Sequence, residues 1–345
     1  MHNMTDVGGV LVGHAHDLMA LTGCTAVLTP LGAVAGVDVR GSAPGTRETD
    51  LMRPCNLVER VHGVMLSGGS AYGLDTASGA MQYLEEQGHG FSTPYGIVPI
   101  VGAAVIYDLG VGDPRIRPDA AMGYRACAAA SSSPCAEGNV GAGAGATLGK
   151  MRGDAHAMKG GVGCYSQEIP RERRGKRVHV GAVVVVNSLG DVVNPWTGAV
   201  VAGAYDRNER QFVGPGAGPG SPWVGARGGS AALEAGVAGV NTTIAVVATD
   251  AMLDKEGANK VAQMAQDGLA RSIIPAHTMY DGDVVFCLST GSRPLSRDRA
   301  ADITLIGSYA SQVLAMAVVR AAMSAESAGG CPAARDVARS GSDPK

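Results

Sequence analysis

Thr243 to Ala248 is an unbroken run of β-branched and small apolar residues, which fits a buried strand. Asn241, Thr242 and Thr243 stand at its head. Ahead of them lie a Gly/Pro-rich segment, Gly214 to Gly229, and an Ala-rich run, Ser230 to Val240. Two readings of Thr242 follow. It is either a strand-initiating residue behind an Asn turn, or a latent N-terminal nucleophile. On the second reading its hydroxyl attacks the preceding carbonyl, the chain is cut between Asn241 and Thr242, and the freed α-amine serves the same hydroxyl as base. An α-amine titrates at roughly 7.7–8.0, so this chemistry needs no histidine.

The rest of the composition narrows the setting. The 345 residues suffice for one large domain or two, with ample core. Glycine occurs 51 times beside 46% hydrophobic residues with no repeating period, which implies closely packed layers and tight turns and excludes collagen or disorder. A net charge of −3 offers no basic field for nucleic acid, and the cationic run Arg171 to Arg177 reads as a solvated loop. No apolar signal core opens the chain, and no stretch approaches the roughly 20 apolar residues of a membrane span. Seven scattered cysteines without a CxxC pair read as buried thiols in a reducing cytoplasm, with no disulfide frame or zinc site.

Taken along the chain, Val10–Val12, Thr25–Thr29 (stopped by Pro30) and Val34–Val39 predict three strands of a meander. His14 and His16 share a strand face, but with no third ligand nearby they read as a turn-region pair. The polar loop Arg40 to Asp50 is a binding wall or a solvated connector. His62–Leu66 predicts a strand, then Ser67-Gly68-Gly69-Ser70 opens a helix to about Glu86. The pattern invites comparison with a nucleophile elbow and fails where Tyr72 replaces its second glycine. The glycines instead suit close helix–sheet approach or an anion nest. Ser70, working with His277, stays as a rival nucleophile. Ile97–Ile106 ends in Tyr107-Asp108, a phenol placed to donate to an oxyanion or simply to face water.

Pro118–Ala130 predicts a helix. Gly138 to Lys150 resembles a phosphate loop, but Ala144 and Met151 break the pattern, leaving a glycine-rich strand with Lys150 at its end. Arg177–Val186 is a strand, and Asn187 to Gly190 a hairpin-type turn into Asp191–Val193; the Asn187 amide is turn chemistry or an oxyanion donor. A helix from Leu253 to about Ile273 precedes Asp281-Gly282-Asp283, either a type I turn or a carboxylate pair ahead of the strand Val284–Leu288. A final helix, Asp298 to Ala325, leads to a frayed tail.

Seven segments, RGSAPGTRETDLMRP, VMLSGGSAYGLD, AAVIYDLG, GAGAGATLGK, AVVVVNSLG, NTTIAVVATDA and HTMYDGDVVF, resemble in order those of the DmpA-type L-aminopeptidase/D-esterases, a family that includes β-peptidyl aminopeptidases and nylon-oligomer hydrolases. The resemblance spans about Val7 to Val319. It implies a four-layer αββα sandwich of N-terminal-nucleophile type, self-cleavage before the nucleophile and a homo-oligomer, usually a tetramer. Thr242 matches the nucleophile, which is Ser in the aminopeptidases proper. Tyr107 and Asn187 match residues on the oxyanion side, and Lys150, Asp281 and Asp283 match residues the nylon-oligomer branch uses around its Thr. Cleavage would leave residues 1–241 and 242–345 as docked fragments of one domain, with residues 329–345 a flexible tail. The expected substrate is a small peptide, amino-acid amide or amide oligomer, taken through an acyl-enzyme without cofactor or metal. Asn-Thr at the junction looks like the nylon-oligomer branch, whereas RGSAPGTRETD and LSGGSAYGLD look like the aminopeptidase side. A non-catalytic small-molecule-binding oligomer is the reading from another class.

Overall fold

The computed structural model describes residues 2–170, 177–217, 240–296 and 298–340. Most of the Arg171–Arg177 run and the whole of 218–239, which holds most of the glycine-rich and alanine-rich lead-in, fall outside them. The main strands are β1 (Leu11–Asp17), β2 (Thr22–Val39), β3 (Thr46–Arg47), β4 (Arg60–Ser67), β5 (Val101–Val105), β6 (Gly161–Ile169), β7 (Val178–Asn187), β8 (Thr242–Ala251) and β9 (Val284–Arg293). The main helices are α1 (Thr76–Glu86), α2 (Ala120–Ala128), α3 (Lys255–Ser272) and α4 (Arg299–Ser324). Hydrogen bonding joins the strands in the order β6-β7-β8-β9-β2-β4-β5-β3, with β1 also on β2. The β8–β9 and β4–β5 pairs are parallel, each bridged by a helix, α3 and α1 respectively.

Side-chain alternation sorts this ladder into layers. On β8, Ala245 and Val247 face one apolar cluster with Val261, Leu269, Val313 and Val318 of α3 and α4. Their neighbours Ile244 and Val246 face a second cluster with Val64, Leu66, Ala104 and Phe286, between the two halves of the strand array. A third cluster joins Ala26, Met65 and Ala103 to Ala77, Leu84, Met122 and Ala126 of α1 and α2. Three cores separate four layers, helices outside and strands within, as the resemblance implied. Glycine permits the tight outer contact: a Cβ on Gly163 of β6 would lie 2.0 Å from the Ala317 carbonyl of α4. By length and composition α4 could cross a bilayer, which the sequence reading did not expect of any segment; 67% of its most apolar window is buried inside the protein.

Several local expectations needed the tertiary structure to correct them. Pro30 does not end a strand; β2 runs through it, and its pairing with β4 shifts register between Leu28 and Ala33. A proline is tolerated at such an irregularity because the ladder hydrogen bond is already missing there. Asp191–Val193 does not pair back on β7 but joins Val200–Ala202 and Ile273–Ile274 in a separate sheet. Gly138–Lys150 is a turn with a two-residue strand, Thr147–Leu148, because its glycines at 138, 141 and 149 take left-handed backbone angles. The expected tail contains a short helix, Ala334–Ser340.

Candidate active site

Strand pairing assembles the candidates. The β7–β8 register sets Asn187 opposite Thr242, and a parallel bridge between Asn241 and Asp281 carries the β8–β9 ladder past its end. Thr242, Asn187, Asp281 and Asp283 therefore meet at one end of the array, all of them buried. The Thr242 hydroxyl donates to the carbonyl of Asn241 at 2.5 Å, and the Gly282 N–H donates to the same oxygen at 2.9 Å. The carbonyl a nucleophilic Thr242 has to attack is thus polarised by two donors. Only glycine fits at 282, where a Cβ would stand 2.9 Å from Thr242 Oγ1 and 2.6 Å from the Ala43 carbonyl. Asn241 Oδ1 is buried with no hydrogen-bond partner among the described residues, a state that costs about 1–3 kcal/mol and is relieved when the end is free to leave.

Lys150 and Asn187 form the opposite wall. The Lys150 ammonium donates to Asn187 Oδ1 at 3.1 Å and to the Asn187 and Val240 carbonyls at 3.2 Å each. Burial lowers its pKa to about 8, against the opposing pull of Asp154 and Asp281. Asn187 Oδ1 also accepts the Thr147 N–H at 3.0 Å. With its oxygen so engaged, the amide turns Nδ2 toward the carbonyls of Tyr107, at 3.1 Å, and Val240, at 3.3 Å. Tyr107 therefore enters the site through its backbone. Its phenol, the group expected to donate, has no hydrogen bond among the described residues.

The two carboxylates have separate partners. Asp281 Oδ2 accepts from the Thr278 N–H at 2.9 Å and hydroxyl at 2.6 Å. Asp283 Oδ1 accepts the Thr243 N–H at 2.7 Å, and its Oδ2 lies 2.8 Å from His277 Nδ1. Burial, then the Asp283 charge, raises the Asp281 pKa. Burial opposes charge on His277, but the hydrogen bond and charge of Asp283 outweigh it and raise that pKa. The loop at Arg40 is the wall behind these groups: Arg40 and Gly41 N–H bond the Asp283 carbonyl, and Ala43 N–H the Asp281 carbonyl.

Ser70 is elsewhere. It stands in a left-handed turn with its N–H on the Ile106 carbonyl, and no hydrogen bond joins it to His277 among the described residues. The anion nest suggested for its glycines is filled from within, since Asp108 accepts the Gly69 N–H and the Thr22 hydroxyl, each at 2.7 Å. Burial raises the Asp108 pKa. His14 bonds Thr25, His16 bonds the Gly141 N–H, and the described residues hold no cluster able to bind a metal. Sequence reasoning missed Gly282, Thr147 and Thr278. The first lies visibly between two acids; the other two carry no local signal. A cavity of about 530 Å³, lined by Tyr205, Arg207, Cys331 and Val337 among others, contains none of these groups.

Comparison with known proteins gives this geometry a context. A family model described as peptidase family S58 matches residues 2–335. A Mycobacterium leprae protein named as an uncharacterized aminopeptidase is 44% identical over 358 residues, covering 96% of this chain and 93% of its own. A 6-aminohexanoate-oligomer endohydrolase of a Kocuria species is 31% identical over 324 residues, covering 92% of this chain and 85% of its own. Among solved structures, an L-aminopeptidase D-Ala-esterase/amidase from Ochrobactrum anthropi, a variant of the N-terminal-nucleophile hydrolase fold, superposes with a TM-score of 0.70 at 20% identity, over 98% of this chain and 94% of that one.

Proposed function

The chain belongs to peptidase family S58 and is an amide-bond hydrolase, and from that premise we propose that it makes its own catalytic end by cutting itself ahead of Thr242. One observation carries the reading: the Thr242 hydroxyl lies on the Asn241 carbonyl while Gly282 polarises that carbonyl from the other side. Attack by Oγ1 on the carbonyl carbon closes a five-membered ring. As the C–N bond breaks, the hydroxyl proton passes to the Thr242 nitrogen and an ester remains. Water then hydrolyses the ester, leaving a carboxylate on Asn241 and a free amine on Thr242.

The uncut chain fills its own site. The Val240 carbonyl occupies Lys150 and Asn187 Nδ2, and the Asn241 carbonyl occupies Gly282. Departure of the 240–241 end exposes all three donors to a substrate. The Thr242 amine then takes the hydroxyl proton, Oγ1 attacks the substrate amide or ester, and those donors hold the oxyanion. The proton goes on to the leaving amine, and water releases the acyl group. Asp283 fixes the start of β8 through the Thr243 N–H, and Asp281, bridged to Asn241 at the junction, is the second carboxylate we assign to orienting the new amine. The higher identity to the named aminopeptidase favours aminoacyl amides and short peptides over nylon oligomers.

N-terminal sequencing of the purified protein is expected to yield a second end reading TTIAV. A single intact chain that hydrolyses aminoacyl p-nitroanilides overturns the reading. In the same assays Gly282→Ala is expected to slow self-cleavage at least about 10²-fold, because its methyl meets the nucleophile and displaces the polarising N–H; a time course on gels reads this directly. All seven cysteines are free, though Cys55 is exposed and Cys331 half-buried where burial was expected. Free thiols support a reducing, cytoplasmic setting, and exposed Leu31, Leu57 and Tyr95 offer apolar surface for a homotetramer. Light scattering tests the assembly.

A further inference from the structure

Lys159 is among the largest fully buried side chains of the described residues, and no step above uses it. Its ammonium donates to the carbonyls of Gly143 and Ala146 at 2.8 Å each and of Gly160 at 3.0 Å. All three of its protons are thereby satisfied by backbone, and no carboxylate lies within ion-pair distance of it in the described residues. A buried ammonium is costly to keep, and an apolar side chain of the same length packs in such a place at less expense. Burial holds its pKa down to about 7.

What the ammonium grips is the segment that aims the oxyanion side of the site. Residues 143–146 end at Thr147, which pairs directly with Lys159 in a short ladder and gives its N–H to Asn187 Oδ1 at 3.0 Å. The segment also rests on Asp108: a Cβ on Gly145 would come within 2.6 Å of Asp108 Cβ and 2.8 Å of Oδ2. The two buried charges are opposite in sign, and each favours the charged form of the other. Asp108 also immediately follows Tyr107, whose carbonyl takes the Asn187 amide. The Thr147 N–H and Lys150 ammonium together decide which way the Asn187 amide faces, since a flipped amide would set its NH₂ against two donors.

We propose that Lys159 and Asp108 are positioning residues for the reaction: together they hold the segment 143–147 so that Thr147 keeps the Asn187 amide with Nδ2 turned toward the Val240 carbonyl beside the junction, and toward the substrate carbonyl once that end has left. The proposal rests on the role given to Asn187 above and adds two residues that touch neither substrate nor nucleophile. Lys159→Met keeps length and packing while removing every donor. Asp108→Asn keeps the Gly69 contact while removing the charge.

The test measures self-cleavage on gels and kcat and KM on an aminoacyl p-nitroanilide, with thermal melts to establish folding. Each variant is expected to cleave itself and turn over about 10- to 100-fold more slowly, with KM held within about threefold. Each is then combined with Asn187→Ala. A clamp that acts only through Asn187 adds less than about threefold to the loss in that background. Loss of rate that multiplies in full with Asn187→Ala, or wild-type rates in either folded variant, overturns the proposal. Should Lys159→Met not fold, Asp108→Asn carries the same cycle. Failure of the self-cleavage reading itself shows differently, as a wild-type chain that stays whole.

Discussion

Thr242→Ala is expected to give a folded protein that remains one chain and loses activity by at least about 10³-fold. The scale follows from other hydrolases, where removing the nucleophile costs about 10⁶ in kcat. Here one substitution removes two things at once. The hydroxyl that touches the Asn241 carbonyl at 2.5 Å is gone, so the junction persists. With the junction intact no α-amine forms, and the Val240 and Asn241 carbonyls stay on Lys150, Asn187 and Gly282. Thr243 does not substitute for it, since its hydroxyl is buried without a partner among the described residues and follows the scissile bond by one residue more. The fold survives because the change deletes only a hydroxyl and a methyl at the head of β8, while the Thr243 N–H keeps its bond to Asp283. Intact mass, a thermal melt and a p-nitroanilide assay on one preparation read all three outcomes. A cut or active Thr242→Ala protein removes the basis for the nucleophile.

Lys150→Met comes second in size, with an expected fall of about 10²–10³-fold in kcat, the usual effect of losing one oxyanion donor. It also alters the pH profile. Burial brings the Lys150 pKa from 10.5 to about 8, so its ammonium is fully present below that pH and is lost as pH rises through it. Substrate hydrolysis is therefore expected to have an acid limb, where the α-amine loses its proton near roughly 7.7–8.0, and an alkaline limb near pH 8 set by Lys150. Self-cleavage involves no free amine and should retain only the alkaline limb. Lys150→Met should abolish that limb in both reactions.

Stability moves in the opposite sense. The folded protein binds fewer protons than the unfolded chain between pH 8 and 10.5, so this lysine weakens the fold below pH 8 and ceases to do so above the unfolded value. Replacing it with an apolar chain is expected to leave the melting temperature at pH 7 unchanged or higher while activity collapses. An activity loss that tracks a lower melting temperature would point to a structural lysine instead.

How much of this was legible beforehand follows the reach of each interaction. Element type was readable at Thr243–Ala248, at the strand ending in Asn187 and in the long helices, because side-chain period is local. The identity of Thr242, Asn187, Lys150, Asp281 and Asp283 as candidates came from seven motifs kept in order. What each group touches did not come with them. Tyr107 meets Asn187 through its carbonyl across 80 positions, and Asp108 fills a nest 39 positions away. Whether Pro30 ends a strand depends on a register shift against β4, and whether Asp191–Val193 closes a hairpin depends on Ile273–Ile274. Sequence alone determined which residues are candidates for the chemistry and which stretches form most of the strands and helices, since both are set by side chains and their near neighbours. Tertiary structure decided which atoms meet, because strand register and the burial of Lys150, Lys159 and Asp108 exist only once distant segments have packed together.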